Sequence, residues 1–207
     1  MTDWFDTLQM LTASTDVMLL CTATTGLRKS DQLLAVAYTK YDRDKQVEVN
    51  TLFRMVGTDA LQSAAEYHRI TKEVMLANAQ SDDAIKQMLT EAMKGCTIFT
   101  YSVPFQRKAL TEMNGGFIDV ISPVCDLPLW LKAGQSRMPF AVELPIDTAD
   151  KQMAKKFMNI PWKGCLNAYD IVADAPAGIL PVTYNLMALS RLYQHLWQQP
   201  PEIVLAD

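Results

Sequence analysis

Leu19-Leu20-Cys21-Thr22-Ala23-Thr24-Thr25-Gly26 is the stretch whose reading decides the fold. With Val17 and Met18 before it, the run is apolar enough for a strand covered on both faces, as the middle strands of an α/β sheet are. Thr-Thr-Gly then supplies turn chemistry. Successive side chains on a strand point to opposite faces, so Cys21 and Ala23 share one face. Working outward, Gln32–Tyr41 reads as a second strand, Asp42-Arg43-Asp44-Lys45 as a polar turn and Gln46–Phe53 as the antiparallel partner. Thr58–Tyr67 reads as a helix capped by Thr58 or Asp59. Ser81–Lys94 is the clearest helix, with Ser81 as cap, Asp82 and Asp83 in its first turn and Gly95 as its stop. Cys96–Tyr101 is a short apolar strand, Pro104 opens the next helix, and Asn114-Gly115-Gly116 ends it. Asp126–Lys132 and Thr148–Met158 follow as helices, with a loop or short hairpin between Gly134 and Pro145. Pro181–Gln198 forms a C-terminal helix. This order predicts an α/β fold with a mixed sheet of about five strands flanked by helices. One domain spans residues 1–207, with no internal repeat, low-complexity tract or linker.

Composition narrows the class. The chain has 207 residues, 49% of them hydrophobic and 20% charged, the balance of a globular protein with a real core. A net charge of −4 and a pI near 5.2 argue against a broad nonspecific nucleic-acid binder, which carries a basic face. A local basic groove remains compatible with them. The 4 cysteines, Cys21, Cys96, Cys125 and Cys165, show neither CxxC nor zinc-ligand spacing, which predicts reduced thiols in a cytoplasmic protein. Residues 1–10 are polar and acidic, without a signal-peptide pattern. The apolar run from Val17 to Cys21 is too short to cross a bilayer.

The opening octapeptide resembles the first motif of the DEDD-type 3′–5′ exonucleases, two apolar residues followed by Asp-Thr-Glu-Thr-Thr-Gly. Cys21 stands at the Asp position and Ala23 at the Glu position. Further segments fall in family order from about residue 17 to about residue 175. Glu66 to Val74, with His68, Ile70 and Thr71, resembles a His-Gly-Ile-Thr segment. Tyr101-Ser102-Val103-Pro104-Phe105-Gln106 resembles Tyr-Asn-x-x-Phe-Asp, with Ser102 for Asn and Gln106 for the metal-binding Asp. Cys125 to Leu131 resembles an Asp-Thr-x-x-Leu segment. Leu166-Asn167-Ala168-Tyr169-Asp170-Ile171 is similar to the third motif, His-x-Ala-x-Asp-Asp, with Leu166 at the general-base position and Ile171 at the last Asp. If that segment is helical, Asp170 is turned about 100° away from the site.

The resemblance implies an RNase H-like fold of the DEDDh, proofreading-like type. It also implies a place for two Mg²⁺ or Mn²⁺ ions, which activate water and stabilise the leaving oxygen in such enzymes. Hard cations want oxygen ligands, and Cys21, Ala23, Gln106 and Ile171 offer no carboxylate. The expectation is therefore a pseudo-exonuclease without a metal cofactor, acting by binding a single-stranded nucleic-acid end or a protein partner, with homodimerisation as in some relatives. Thr24, Thr25, Gly26, Ser102 and Phe105 are its candidate nucleic-acid contacts, the first three because the same turn seats the terminal nucleotide in active relatives. Lys151, Lys155, Lys156 and Lys163 form a basic cluster that reads either as a phosphate contact or as a solvated helix face. Two alternatives stand beside this reading. One is an active nuclease with shifted ligands among Asp126, Asp170 and Asp174. The other is a scaffold subunit with no nucleic-acid role.

Overall fold

The computed structural model describes residues 16–28, 30–42, 45–111, 116–120, 122–135, 146–157 and 160–198. Strand β1 (Asp16–Thr24) is followed by β2 (Leu33–Asp42) and β3 (Lys45–Arg54). Short helices α1 (Thr58–Gln62), α2 (Ala65–His68) and α3 (Lys72–Asn78) lead to β4 (Ala79–Gln80) and α4 (Asp82–Met93). Then come β5 (Cys96–Thr100), α5 (Val103–Thr111), β6 (Val124–Asp126), α6 (Leu127–Gln135), α7 (Ile146–Phe157), α8 (Trp162–Ala168) and α9 (Pro181–Gln198).

The strands form one 6-stranded sheet in the order β4-β3-β2-β1-β5-β6. β1 pairs antiparallel with β2 and parallel with β5, so both of its edges are hydrogen-bonded. The expected mixed sheet with helices is thus present, with β4 beside β3 and β6 beside β5 as the two strands that the sequence pattern does not place. Alternation along β1 divides the core. Val17, Leu19, Cys21 and Ala23 join one apolar layer with Trp130 of α6 and Leu189 and Tyr193 of α9. Met18 and Leu20 join the other, with Ile85 and Leu89 of α4 and Leu110 of α5. All four cysteines are buried, and none forms a disulfide.

Local signals explain where the helices start. Ser81 Oγ accepts from the Ala84 N–H at 3.2 Å, the expected cap of α4. Asp82 in the first turn of that helix pairs with Arg54 of β3 at 2.6 Å. The single helix expected over Thr58–Tyr67 is instead two pieces. Gly57, with no side-chain cap bond, precedes α1, and Ala64 takes a left-handed conformation between α1 and α2. His68 accounts for the break: its buried Nε2 lies 3.1 Å from both the Leu61 and the Ser63 carbonyl, and its Nδ1 accepts from the Ile70 N–H at 3.0 Å. Those carbonyls have left the helical ladder and need a donor, so Nε2 carries the proton. The hydrogen-bonding role expected for His68 is this one.

Other expectations shift at their ends. Asp126 does not begin α6 but ends β6, and Gly134 belongs to α6 rather than to a loop. Helix α3, strand β6 and helix α8 had no sequence signal strong enough to place them. Asp170 is not helical: α8 stops at Ala168, and Asp170 sits exposed at φ 56° just beyond it. The polar turn at 43–44, the helix stop at 114–115, the segment 136–145 and Met158 lie outside the described residues.

Asp126 ties two helices to the sheet. Its Oδ1 accepts from the Leu129 N–H at 3.3 Å, at the start of α6, and its Oδ2 is reached by the Val103 N–H at 3.5 Å, at the start of α5. Asp126→Ala is expected to cost about 1–2 kcal/mol in urea unfolding at neutral pH. Asp126→Asn should recover part of the loss, because it keeps one acceptor. For His68, burial lowers the pKa below its ordinary 6.5, outweighing the two carbonyls that favour the charged ring. The unfolded chain therefore takes up the proton first as pH falls. Stability is full above about pH 6.5 and drops below it. Urea midpoints between about pH 7 and 5 should fall for the parent and flatten for His68→Gln.

Candidate functional site at the end of the central strand

β1 leaves the sheet at Thr24, after a register shift between Ala23 and Thr24. The turn beyond it is held by its own side chains. Thr24 Oγ1 donates to the Gly26 carbonyl at 2.6 Å, and the buried Thr25 Oγ1 accepts from the Gln32 N–H at 2.8 Å. The Arg28 N–H donates to Asp31 Oδ2. A Cβ at 26 would come within 2.6 Å of Asp31 Oδ2 and would have to push that carboxylate off the Arg28 N–H.

A cavity of about 470 Å³ opens at this end of β1. Thr22, Ala23, Thr24 and Gly26 form one wall, Tyr67 and His68 of α2 a second, and Tyr101 with Val182 and Asn185 of α9 a third. Leu27 and Tyr67, 80% and 73% exposed, stand at its rim. Among the described residues the lining includes no Asp, Glu, Lys or Arg. A second cavity of about 300 Å³ lies on the other side of Tyr101, lined by Ser102, Phe105, Asp126, Leu129 and Trp162 among others.

Tyr101 thus stands in the wall of both cavities, held by Trp162 and Asn185, which also bond each other. Its ring stacks on Trp162 of α8, centroids 4.2 Å apart at 13°. Asn185 Nδ2 donates to Tyr101 Oη at 3.1 Å, and Trp162 Nε1 donates to Asn185 Oδ1 at 3.2 Å. Burial pushes the Tyr101 hydroxyl pKa far above its ordinary 10, the Cys21 thiol adds to that, and Gln106 and Asn185 oppose it. The hydroxyl stays protonated at any physiological pH.

The sequence-derived positions divide between cavity and core. Ala23 lines the first cavity. Cys21 is fully buried beneath it, and burial alone holds its thiol far above the usual range, so it stays neutral in the folded chain. Gln106 is buried on α5 and accepts from Thr22 Oγ1 at 2.8 Å. Leu166 and Ile171 are not in the cavity wall. Both are buried in the apolar layer, and the Ile171 N–H donates to the Leu166 carbonyl at 2.9 Å. Of the candidate nucleic-acid contacts, Thr24 and Gly26 face the first cavity, Ser102 and Phe105 the second, and Thr25 faces neither.

The shifted-ligand carboxylates do not converge. Asp126 serves the two helix starts, and burial raises its pKa against the pull of those N–H groups. Asp170 is exposed, and Asp174 pairs with Lys163 at 2.7 Å on the surface. Among the described residues no group of three or more His, Cys, Asp or Glu side chains could hold a metal ion. Thiol, methyl and amide groups do not supply the anionic oxygens that two hard divalent ions require, so the residues present do not fit that metal pair. Lys151, Lys155, Lys156 and Lys163 line neither cavity.

Sequence reasoning missed Asn185. The available signal was a polar residue on the apolar stripe of a C-terminal helix, at the i+3 position from Val182 and i−4 from Leu189. Trp162 packs half-buried against the apolar layer and is the shelf under Tyr101.

No protein-family model matches the chain, and no curated protein matches it by sequence. Solved structures do match. E. coli exonuclease I in complex with a dT13 oligonucleotide is 12% identical with a TM-score of 0.62 over 90% of this chain and 42% of that one. Exonuclease I from Methylocaldum szegediense is 17% identical with a TM-score of 0.58, covering 90% and 41%. Exonuclease X in complex with 5′ overhanging duplex DNA is 13% identical with a TM-score of 0.53, covering 87% and 90%. The chain spans about two fifths of the length of the exonuclease I structures. At these identities the likeness is one of fold, and the fold of this chain is that of the DEDDh-type 3′–5′ exonucleases, RNase H-like.

Proposed function

We propose that the chain is a non-catalytic relative of the 3′–5′ exonucleases that acts by binding, with a single-stranded nucleic-acid end as its ligand. One observation carries this reading. The positions that resemble the family's ligands are occupied by a buried thiol, a methyl group and a buried amide, Cys21, Ala23 and Gln106, on an otherwise intact exonuclease fold. The groove at the end of β1 persists with the Thr24–Gly26 turn beside it, and exonuclease I structures hold oligonucleotides on this fold. A groove whose described lining carries no charged side chain favours the base or sugar over the phosphate. Protein capture in place of nucleic acid is the other outcome of a binding assay, and the homodimer belongs to the same reading as a question for solution mass.

End-labelled single-stranded DNA and RNA, incubated with the unmodified protein in Mg²⁺ or Mn²⁺ and compared with EDTA, are expected to stay full length. Metal-dependent laddering above a mock preparation overturns the reading. Fluorescence anisotropy with the same oligonucleotides should show binding with a shallow salt dependence. A strongly cationic groove making several phosphate contacts instead loses about 10³–10⁵ in affinity between 50 and 200 mM salt.

A further inference from the structure

We infer that Asn185 of α9, rather than Ile171, stands where the last carboxylate of an exonuclease site would be, and that it now serves as a positioning residue for Tyr101. The inference rests on the pseudo-exonuclease reading and corrects its residue set. Ligands of shared metal ions have to converge on one point. Here that point is the cavity at the end of β1, where Asn185 Nδ2 donates to the Tyr101 hydroxyl and Thr22, the partner of Gln106, stands in the same wall. Gln106 is bound to Thr22, next to Ala23, and Ala23 and Asn185 line one cavity. Helix α9 packs across β1, and Asn185 is its polar group at the level of Ala23. Ile171, in contrast, is buried in the apolar layer beyond the end of α8, tied back to Leu166.

The chemistry of the replacements agrees. Asparagine has the shape of aspartate without its charge, and an amide also has a donor. Trp162 Nε1 donates to Oδ1, which turns Nδ2 toward Tyr101 Oη and sets the amide orientation. A carboxylate at 185 would have no proton to give Tyr101. The amide therefore suits a network in which Trp162, Asn185 and Tyr101 support one another, and that network separates the two cavities.

The test restores carboxylates and reads binding of Mn²⁺ alone. One variant combines Cys21→Asp, Ala23→Glu, Gln106→Asp and Asn185→Asp; its counterpart carries Ile171→Asp in place of Asn185→Asp. Isothermal titration is expected to show Mn²⁺ binding at least ~10-fold tighter to the Asn185→Asp variant than to its counterpart or to the parent, a difference of about 1.4 kcal/mol. Equal binding, tighter binding to the Ile171→Asp variant, or no binding to either overturns the assignment. Where circular dichroism shows either variant unfolded, the pairs Ala23→Glu/Asn185→Asp and Ala23→Glu/Ile171→Asp decide it instead. Mn²⁺ should raise the melting temperature of the first pair alone, and any other pattern overturns the assignment. Nuclease activity in the unmodified protein would sink the pseudo-exonuclease reading without touching this comparison, so the two failures are distinct.

Discussion

A strand hydrogen-bonded along both edges and covered on both faces is the constraint on which this structure depends. β1 has β2 on one side and β5 on the other, with α9 and α6 over one face and α4 and α5 over the other. An ionised side chain at Cys21 would lose its hydration there without a counterion to replace it. In an exonuclease fold the ions provide that compensation. A chain that gives up the ions must give up the charges with them, since clustered carboxylates without metal repel one another and raise their own pKa values. Thiol, methyl and amide groups are the neutral solution at these positions.

Much of this was legible in the sequence because the relevant signals are local. Apolar continuity marked β1, the Asp-rich turn marked the β2–β3 pairing, and Ser81 with its following aspartates marked α4. What escaped was set by tertiary partners. Nothing local breaks the helix at Ala64; the break comes from a histidine that takes up two carbonyls from the preceding turn. Strand β6 is three residues long and exists through its pairing with β5. The third motif was harder still. A His-x-Ala-x-Asp-Asp pattern without its histidine and its last aspartate leaves little beyond an alanine to align, and Ala168 supplied one. The polar group that reaches the cavity is on the next helix.

Neutral hydrogen bonds link the side chains around the cavity wall. Gln106 answers Thr22, and Asn185 links Tyr101 to Trp162. Inside a low-dielectric layer such bonds keep side chains in one arrangement, and an unpaired group is costly. The two cavities are therefore distinct for a reason of packing: the wall between them is an aromatic pair pinned by an amide.

The four cysteines lead to a consequence of another kind. Cys21, Cys96, Cys125 and Cys165 lie in β1, β5, β6 and α8, all buried and none in a disulfide, and burial holds the thiols of Cys21, Cys96 and Cys165 above their ordinary pKa. Alkylating reagents and mild oxidants act on accessible thiolate. The folded molecule offers them almost none, so modification has to wait for the sheet or α8 to open. The chain thus contains its own set of opening reporters, placed in three strands and one helix, and the order in which they become labelled is the order in which the fold comes apart.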